Sequence, residues 1–219
     1  MSDPRIRHVE VTRHARYATL GSVAAARQVW FVCHGYSQLA ADFVSLFQPI
    51  DDGTRLLVAP EGLSRFYVAE GRGKVGASWM TREDREHEIA DYVAYLDQVF
   101  DAVMRDVDRQ NVTAHVLGFS QGVATACRWA VHGRAAFDHL VLWAEFLPPE
   151  FDTPESCARL RTMRISTVCG ESDQYLTEGA LAAHRERLEG LGLTFEELTF
   201  DGGHRLDRET LKRVAGVAG

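Results

Sequence analysis

The sequence predicts an α/β protein, a mostly parallel central sheet with helices on both faces, on three observations. Short β-branched or aromatic runs alternate with helical patterns along the chain. The most apolar of these runs lack period-2 alternation, as strands covered on both faces should. No internal repeat or low-complexity segment interrupts the order. At 219 residues the chain is expected to form one domain, residues 1–219, around one core.

The elements can be justified in turn. "RIRHVEV" (5–11) and "RYATLG" (16–21) have strand-like composition and are expected to pair as an N-terminal antiparallel hairpin. "QVWFVCH" (28–34) and "RLLVAP" (55–60) are continuous apolar runs bounded by polar residues, the pattern of buried strands. Residues 60–80, "PEGLSRFYVAEGRGKVGASWM", show no clear element, and a loop this long in a compact domain is either functional or a cover packed by its own aromatics. Thr81 and Asp84 stand in the relation of a capping box, and Ile89, Tyr92, Val93, Leu96, Val99, Phe100, Val103, Met104 and Val107 follow at helical spacing. That stripe is read as core, without chemistry.

Four further strands are expected at "TAHVLGFS" (113–120), "HLVLWAEF" (139–146), "RISTVCG" (164–170) and "TFEELTF" (194–200). The alanine-rich "GVATACRWAVHG" between the first two reads as a helix. Asp207 is a natural N-cap for a last helix.

Composition narrows the function. The chain is 46% hydrophobic and 25% charged with a formal net charge of −7, so no basic stripe is available for nucleic acid. The charged start "MSDPRIRHVEV" does not resemble a signal peptide, and no apolar run is long enough to span a bilayer, so a cytoplasmic protein without stable membrane insertion is expected. Cys33, Cys127, Cys157 and Cys169 are widely spaced, which suggests neither a zinc site nor a redox pair. The "HEIAD" at His87 lacks the second histidine of a metalloprotease motif.

The chemistry centres on "LGFSQG". Ser120 lies between Gly118 and Gly122, after a strand and before a helix, which is the setting of a nucleophile elbow. A sharp strand-to-helix turn strains the serine backbone and brings the two elements together, so small residues must flank it. The helix N-terminus favours developing negative charge there.

A hydroxyl needs a base, and the base needs an orienting acid. Of the downstream histidines, His132, His139 and His184 fall in helical or strand patterns, whereas His204 follows the last strand after two glycines and is the candidate base. Asp173, beyond the strand ending at Cys169 and Gly170, is the candidate acid, with Glu171 and Asp201 as rivals. The backbone N–H groups of Gln121 and of Tyr36, in "HGYSQ", are the candidate oxyanion donors, with His34 structural.

Two candidate substrate-binding residues complete the set. Trp79 offers a large apolar face for an acyl or aryl group, or is buried for stability. Glu145 either selects a polar or cationic group or pairs with an arginine, and pairing is the favoured reading.

Together "HGY", "GFSQG", "GESD" and "GGH" resemble the α/β-hydrolase superfamily and, within it, the phospholipase/carboxylesterase group that includes the acyl-protein thioesterases. The resemblance spans nearly the whole chain, and "GFSQG" is its most specific element. It implies a Ser120, Asp173, His204 triad, an acyl-enzyme intermediate, no cofactor, and a small-molecule ester, thioester or lysophospholipid substrate. A non-catalytic hydrolase-fold binding protein is the alternative. Val123, Ser37 and the Ala144–Glu145 pair depart from common family patterns, so substrate preference does not carry over.

Overall fold

The computed structural model describes residues 3–69 and 72–217. Nine strands are assigned: β1 (Tyr17–Gly21), β2 (Gln28–Cys33), β3 (Arg55–Pro60), β4 (Ser64–Ala69), β5 (Arg72–Ser78), β6 (Thr113–Phe119), β7 (His139–Trp143), β8 (Arg164–Gly170) and β9 (Glu196–Phe200). Six helices accompany them: α1 (Ala40–Ser45), α2 (Arg85–Arg105), α3 (Gln121–His132), α4 (Pro154–Leu160), α5 (Glu178–Gly190) and α6 (Arg208–Ala215). Seven strands form one sheet in the order β1-β3-β2-β6-β7-β8-β9, parallel except for β1.

Alternate residues of the parallel strands enter two cores. Val29, Phe31, Val116, Leu140 and Ile165 pack under α2 and α3. Trp30, Val32, Leu117, Val141 and Val168 pack against α1 and α6. Burial on both faces explains the continuous apolar runs, because neither face can be polar. The expected α2 stripe lies in the first core: Tyr92, Leu96, Val99, Val103, Met104 and Val107 are buried, and Ile89, Val93 and Phe100 pack at its margin.

Three expectations need correction. Residues 5–11 form no strand, and β1 pairs antiparallel with β3 instead, with Tyr17 opposite Pro60. An isolated hairpin is marginal in water, whereas the open edge of β3 offers β1 a partner already aligned. The capping box does not form. α2 starts at Arg85, Thr81 Oγ1 accepts only the Glu83 amide, and Asp84 sits at the cap in a left-handed conformation (φ 52°) without capping the helix. Finally, the segment 60–80 is no irregular loop. It carries β4 and β5, an antiparallel two-stranded ribbon separate from the main sheet.

Among the described residues, no helix is long and apolar enough to cross a membrane. All four cysteines are buried and free.

Candidate active site

Because β2, β6, β7, β8 and β9 run parallel, the loops after them open on one edge of the sheet. Those loops carry His34 to Gln38, Ser120, Ala144–Glu145, Asp173 and His204. The topology therefore gathers residues far apart in sequence at the carboxyl ends of the strands, where open α/β sheets place their sites.

Ser120 is the N-cap residue of α3, with φ 52° and ψ −122°. This backbone is costly for a residue with a side chain, of order 1–3 kcal/mol. The flanking glycines are required by contact. A Cβ on Gly118 would lie 2.3 Å from the Gly122 carbonyl oxygen, and one on Gly122 would lie 2.1 Å from that of Cys33. The Ser120 amide donates to the Trp143 carbonyl at 2.9 Å, which anchors the turn to β7.

Strained backbone recurs around this point. Among the described residues, four non-glycines have positive φ, and three of them, Ser37 (64°), Ser120 and Ala144 (60°), lie on the loops after β2, β6 and β7. Ser37 takes the left-handed conformation that glycine would supply at the same place, and its amide donates to the Ala77 carbonyl at 2.9 Å. The ribbon strand β5 thus holds the loop that carries Tyr36. Neither the Tyr36 nor the Gln121 amide donates to another group among the described residues.

Asp173 and His204 meet directly. His204 Nδ1 lies 2.8 Å from Asp173 Oδ2, and the Asp173 side chain is fully buried while the imidazole remains one-fifth exposed. The other carboxylate oxygen accepts the Tyr175 amide at 2.9 Å. With both oxygens engaged, the carboxylate is fixed and holds the imidazole in one orientation. The loops close this tightly because Gly170 has no side chain: a Cβ there would stand 2.2 Å from the Gly202 carbonyl oxygen. The Ser172 amide donates to that same oxygen at 3.0 Å.

The rivals are placed elsewhere. Glu171 is exposed and accepts the Thr199 hydroxyl, and Asp201 contributes only its carbonyl, to Arg205. Asp207 caps α6 through the Thr210 amide.

Ser120 and His204 are not hydrogen-bonded to each other within 3.5 Å. They are linked through neighbours: the Phe119 ring, next to the serine, lies 5.1 Å from the imidazole, and the Trp143 indole donates to the Arg205 carbonyl at 2.9 Å. Hydrogen bonds of this kind commonly tighten only when substrate binds. A cleft of about 350 Å³ opens beside His204, lined in part by Gln38, Leu46, Phe119, Leu206 and Leu211. Ser120 lies outside its lining.

Three other histidines do structural work. His34 Nδ1 faces the Gly35 carbonyl at 2.8 Å while Nε2 accepts the Gly62 amide at 2.9 Å, so the ring is neutral and welds two loops together; burial lowers its pKa. His139 contacts Ser166, and His184 accepts the Leu147 amide.

The two substrate-binding candidates fare differently. Trp79 is 1% exposed within the first core, and its indole donates to the His34 carbonyl at 2.8 Å. It is a packing residue, since its one polar atom is spent on the loop it supports. Glu145 is exposed and forms no arginine pair among the described residues; its carboxylate accepts the adjacent Phe146 amide at 2.9 Å. The expected ion pair is thus replaced by a local bond.

Three side-chain roles at the site escape sequence reading. The Gln121 side chain donates to the Ser78 hydroxyl and the Met80 carbonyl, both at 3.1 Å, tying the elbow to the end of the ribbon. Phe119 supports the imidazole from one side, and the exposed Tyr175 meets it edge-on at 4.8 Å. "GFSQG" signals the first two only once the turn's neighbours are known.

The strand order, the strained serine turn and the acid–imidazole pair on adjacent loops define an α/β-hydrolase fold. Solved structures share it. The chain is similar to acyl-protein thioesterase 2 of Zea mays at 16% identity, TM-score 0.71, over 93% of this chain and 97% of that one. It is also similar to a carboxylesterase of Mesorhizobium loti at 19% identity, TM-score 0.69, over 92% and 93% of the two chains. Esterase PE8 matches at 19% identity, TM-score 0.62, over 92% and 96%. No family model and no curated protein matches the chain.

Proposed function

We propose that the chain is a serine hydrolase of carboxylic esters, the neighbouring thioesterase and carboxylesterase structures marking the range of acyl substrates. The observation that carries this reading is the buried Asp173 carboxylate holding His204 on the loop edge where Ser120 stands in a strained turn. Strain at a partly buried serine and a dedicated acid–imidazole pair have no common purpose in packing alone.

In this reading, His204 takes the Ser120 proton as the hydroxyl oxygen attacks the acyl carbonyl. The Tyr36 and Gln121 amides, together with the positive end of α3, stabilise the oxyanion. Collapse of the tetrahedral species expels the alcohol or thiol, which receives the proton from His204. Water then repeats the sequence on the acyl-enzyme and releases the acid. Asp173 keeps Nδ1 protonated so that Nε2 is free to act as base. The proposed setting is cytoplasmic, with a small-molecule acyl substrate.

A fluorophosphonate probe should label the wild-type chain and not Ser120→Ala. Hydrolysis of aryl esters, thioesters and lysophospholipids by the Ser120→Ala variant should fall by at least about 10⁴-fold. A folded wild-type chain that neither labels nor turns over any of the three classes would instead be a binding protein on the same scaffold.

Glu145, exposed at the end of β7, is proposed as a rim charge. Glu145→Gln should lower the ratio of rates on cationic against anionic aryl esters by about two- to threefold, the scale of a solvent-exposed charge. An unchanged ratio removes that role.

A further inference from the structure

Away from the strand ends, the N-terminal arm brings His8 against the start of α2, 76 residues further along the chain. His8 Nε2 lies 3.1 Å from both carboxylate oxygens of Asp84, and His87 Nδ1 lies 2.8 Å from Asp84 Oδ1. The two imidazole rings stack at 4.0 Å with 22° between their planes. One donor atom from each of the three side chains lies within 4.8 Å of the others. Asp84 is thus the common partner of two imidazoles from segments that share no regular element.

We propose that His8, Asp84 and His87 bind a first-row divalent transition metal ion of the zinc class, and that the ion fastens the N-terminal arm to α2. Two imidazole nitrogens and one carboxylate oxygen make a borderline donor set that suits zinc, cobalt, nickel or copper rather than calcium or magnesium. Donors at ~2.1 Å from a tetrahedral ion stand ~3.4 Å apart, so the Asp84 contacts at 3.1 and 2.8 Å need to open by roughly 0.3 and 0.6 Å. The rings must also tilt out of their stack so that both lone pairs converge. All three side chains are about half exposed, which leaves the fourth position to water.

The site gives Asp84 a role that its backbone position otherwise lacks. A helix-capping aspartate normally accepts an amide of the first turn; this one is turned to the histidines. It also closes the arm at its far end. Arg16 pairs with Glu61 at 2.6 Å, and Arg13 bonds to the Leu63 carbonyl, but residues before these have exposed apolar side chains, with Ile6, Val9 and Val11 each more than three-quarters exposed. The single metal would replace hydrophobic anchoring that this stretch does not have.

The test is titration of the full-length chain with zinc chloride, followed by calorimetry, and with cobalt chloride, followed by visible absorption. One equivalent of zinc should bind with a dissociation constant below about 100 μM, and His8→Ala or His87→Ala should weaken it at least tenfold. His14→Ala, in the same arm, should leave it unchanged. Zinc should also slow tryptic cleavage at Arg5 and Arg7 in the wild type and not in His87→Ala. Zinc affinity equal in His8→Ala and wild type, or no binding below 100 μM, overturns the proposal and leaves a hydrogen-bonded triad. Ester hydrolysis is not part of the readout, so failure here is independent of the active-site reading.

Discussion

Asp173→Asn is expected to slow ester turnover by about 10⁴-fold while leaving the fold intact. The substitution preserves shape, and the Asn carbonyl can still accept the Tyr175 amide that Asp173 Oδ1 accepts now. What it changes is the group 2.8 Å from His204 Nδ1. An amide nitrogen placed there donates where the carboxylate accepts, so the imidazole is driven to the tautomer whose Nε2 carries the proton and cannot act as base. The loss should be in kcat, with thermal stability and the KM for a short aryl ester little changed. A variant that retains more than a tenth of wild-type turnover would show that Asp173 is not the orienting acid and that the His204 contact is structural.

The second large effect is on stability. Lowering pH from 7 to 4 should destabilise the chain by several kcal/mol, on the order of a few for each buried histidine. Burial pushes the pKa of His115 down to about 4, that of His184 to about 4, and that of His139 to about 3, with Arg164 adding to the depression at His139. The sign follows from linkage. Each of these groups has a folded-state pKa below its unfolded value near 6.5, so the unfolded chain binds more protons across the intervening range. Their contribution is intact above pH 6.5, shrinks as pH falls, and is exhausted below the folded values.

At pH 4 depressions of this size cost on the order of 3 kcal/mol for each ring, a sizeable part of the 5–15 kcal/mol that holds a typical domain. The structural cause is visible at Trp30, which stacks on His115 at 4.4 Å beneath the second core. There His115 Nδ1 has no hydrogen-bond partner among the described residues, and a proton added to it would have none among them either. Urea midpoints measured at pH 7, 6, 5 and 4 test this directly. Equal midpoints at pH 7 and 5 would refute it, and His139→Gln should flatten the slope by up to about 1.4 kcal/mol per pH unit.

How much of this was legible beforehand differs by element. Six strands of the main sheet were readable in sequence: in the inner ones burial on both faces leaves a signal in nearly every residue, whereas the edge strand β9 shows it only at Leu198 and Phe200. The ribbon was not. β4 shows alternating exposure that is local and weak, and β5 is glycine-rich, so neither carries a long apolar run. The edge pairing of β1 was hidden for a different reason: strand composition says that a segment is extended, and not which edge will accept it.

The site divides along the same line. Local chemistry named Ser120, Gly118 and Gly122, since a strand, a small-residue turn and a helix must follow one another in sequence to build a strained serine. The choice of Asp173 and His204 rested on chain order and loop position, and their 2.8 Å contact depends on how closely the loops after β8 and β9 approach at Gly170.

What the sequence determined by itself is the alternation of buried strands and amphipathic helices and the turn that presents Ser120, because both are written in residues adjacent along the chain. Tertiary structure alone decided that Trp79 is buried, that Glu145 meets no arginine, and that His8 reaches Asp84 and His87. Each of these depends on which distant segments share a surface, and that is settled by the summed packing of the whole chain rather than by any short stretch of it.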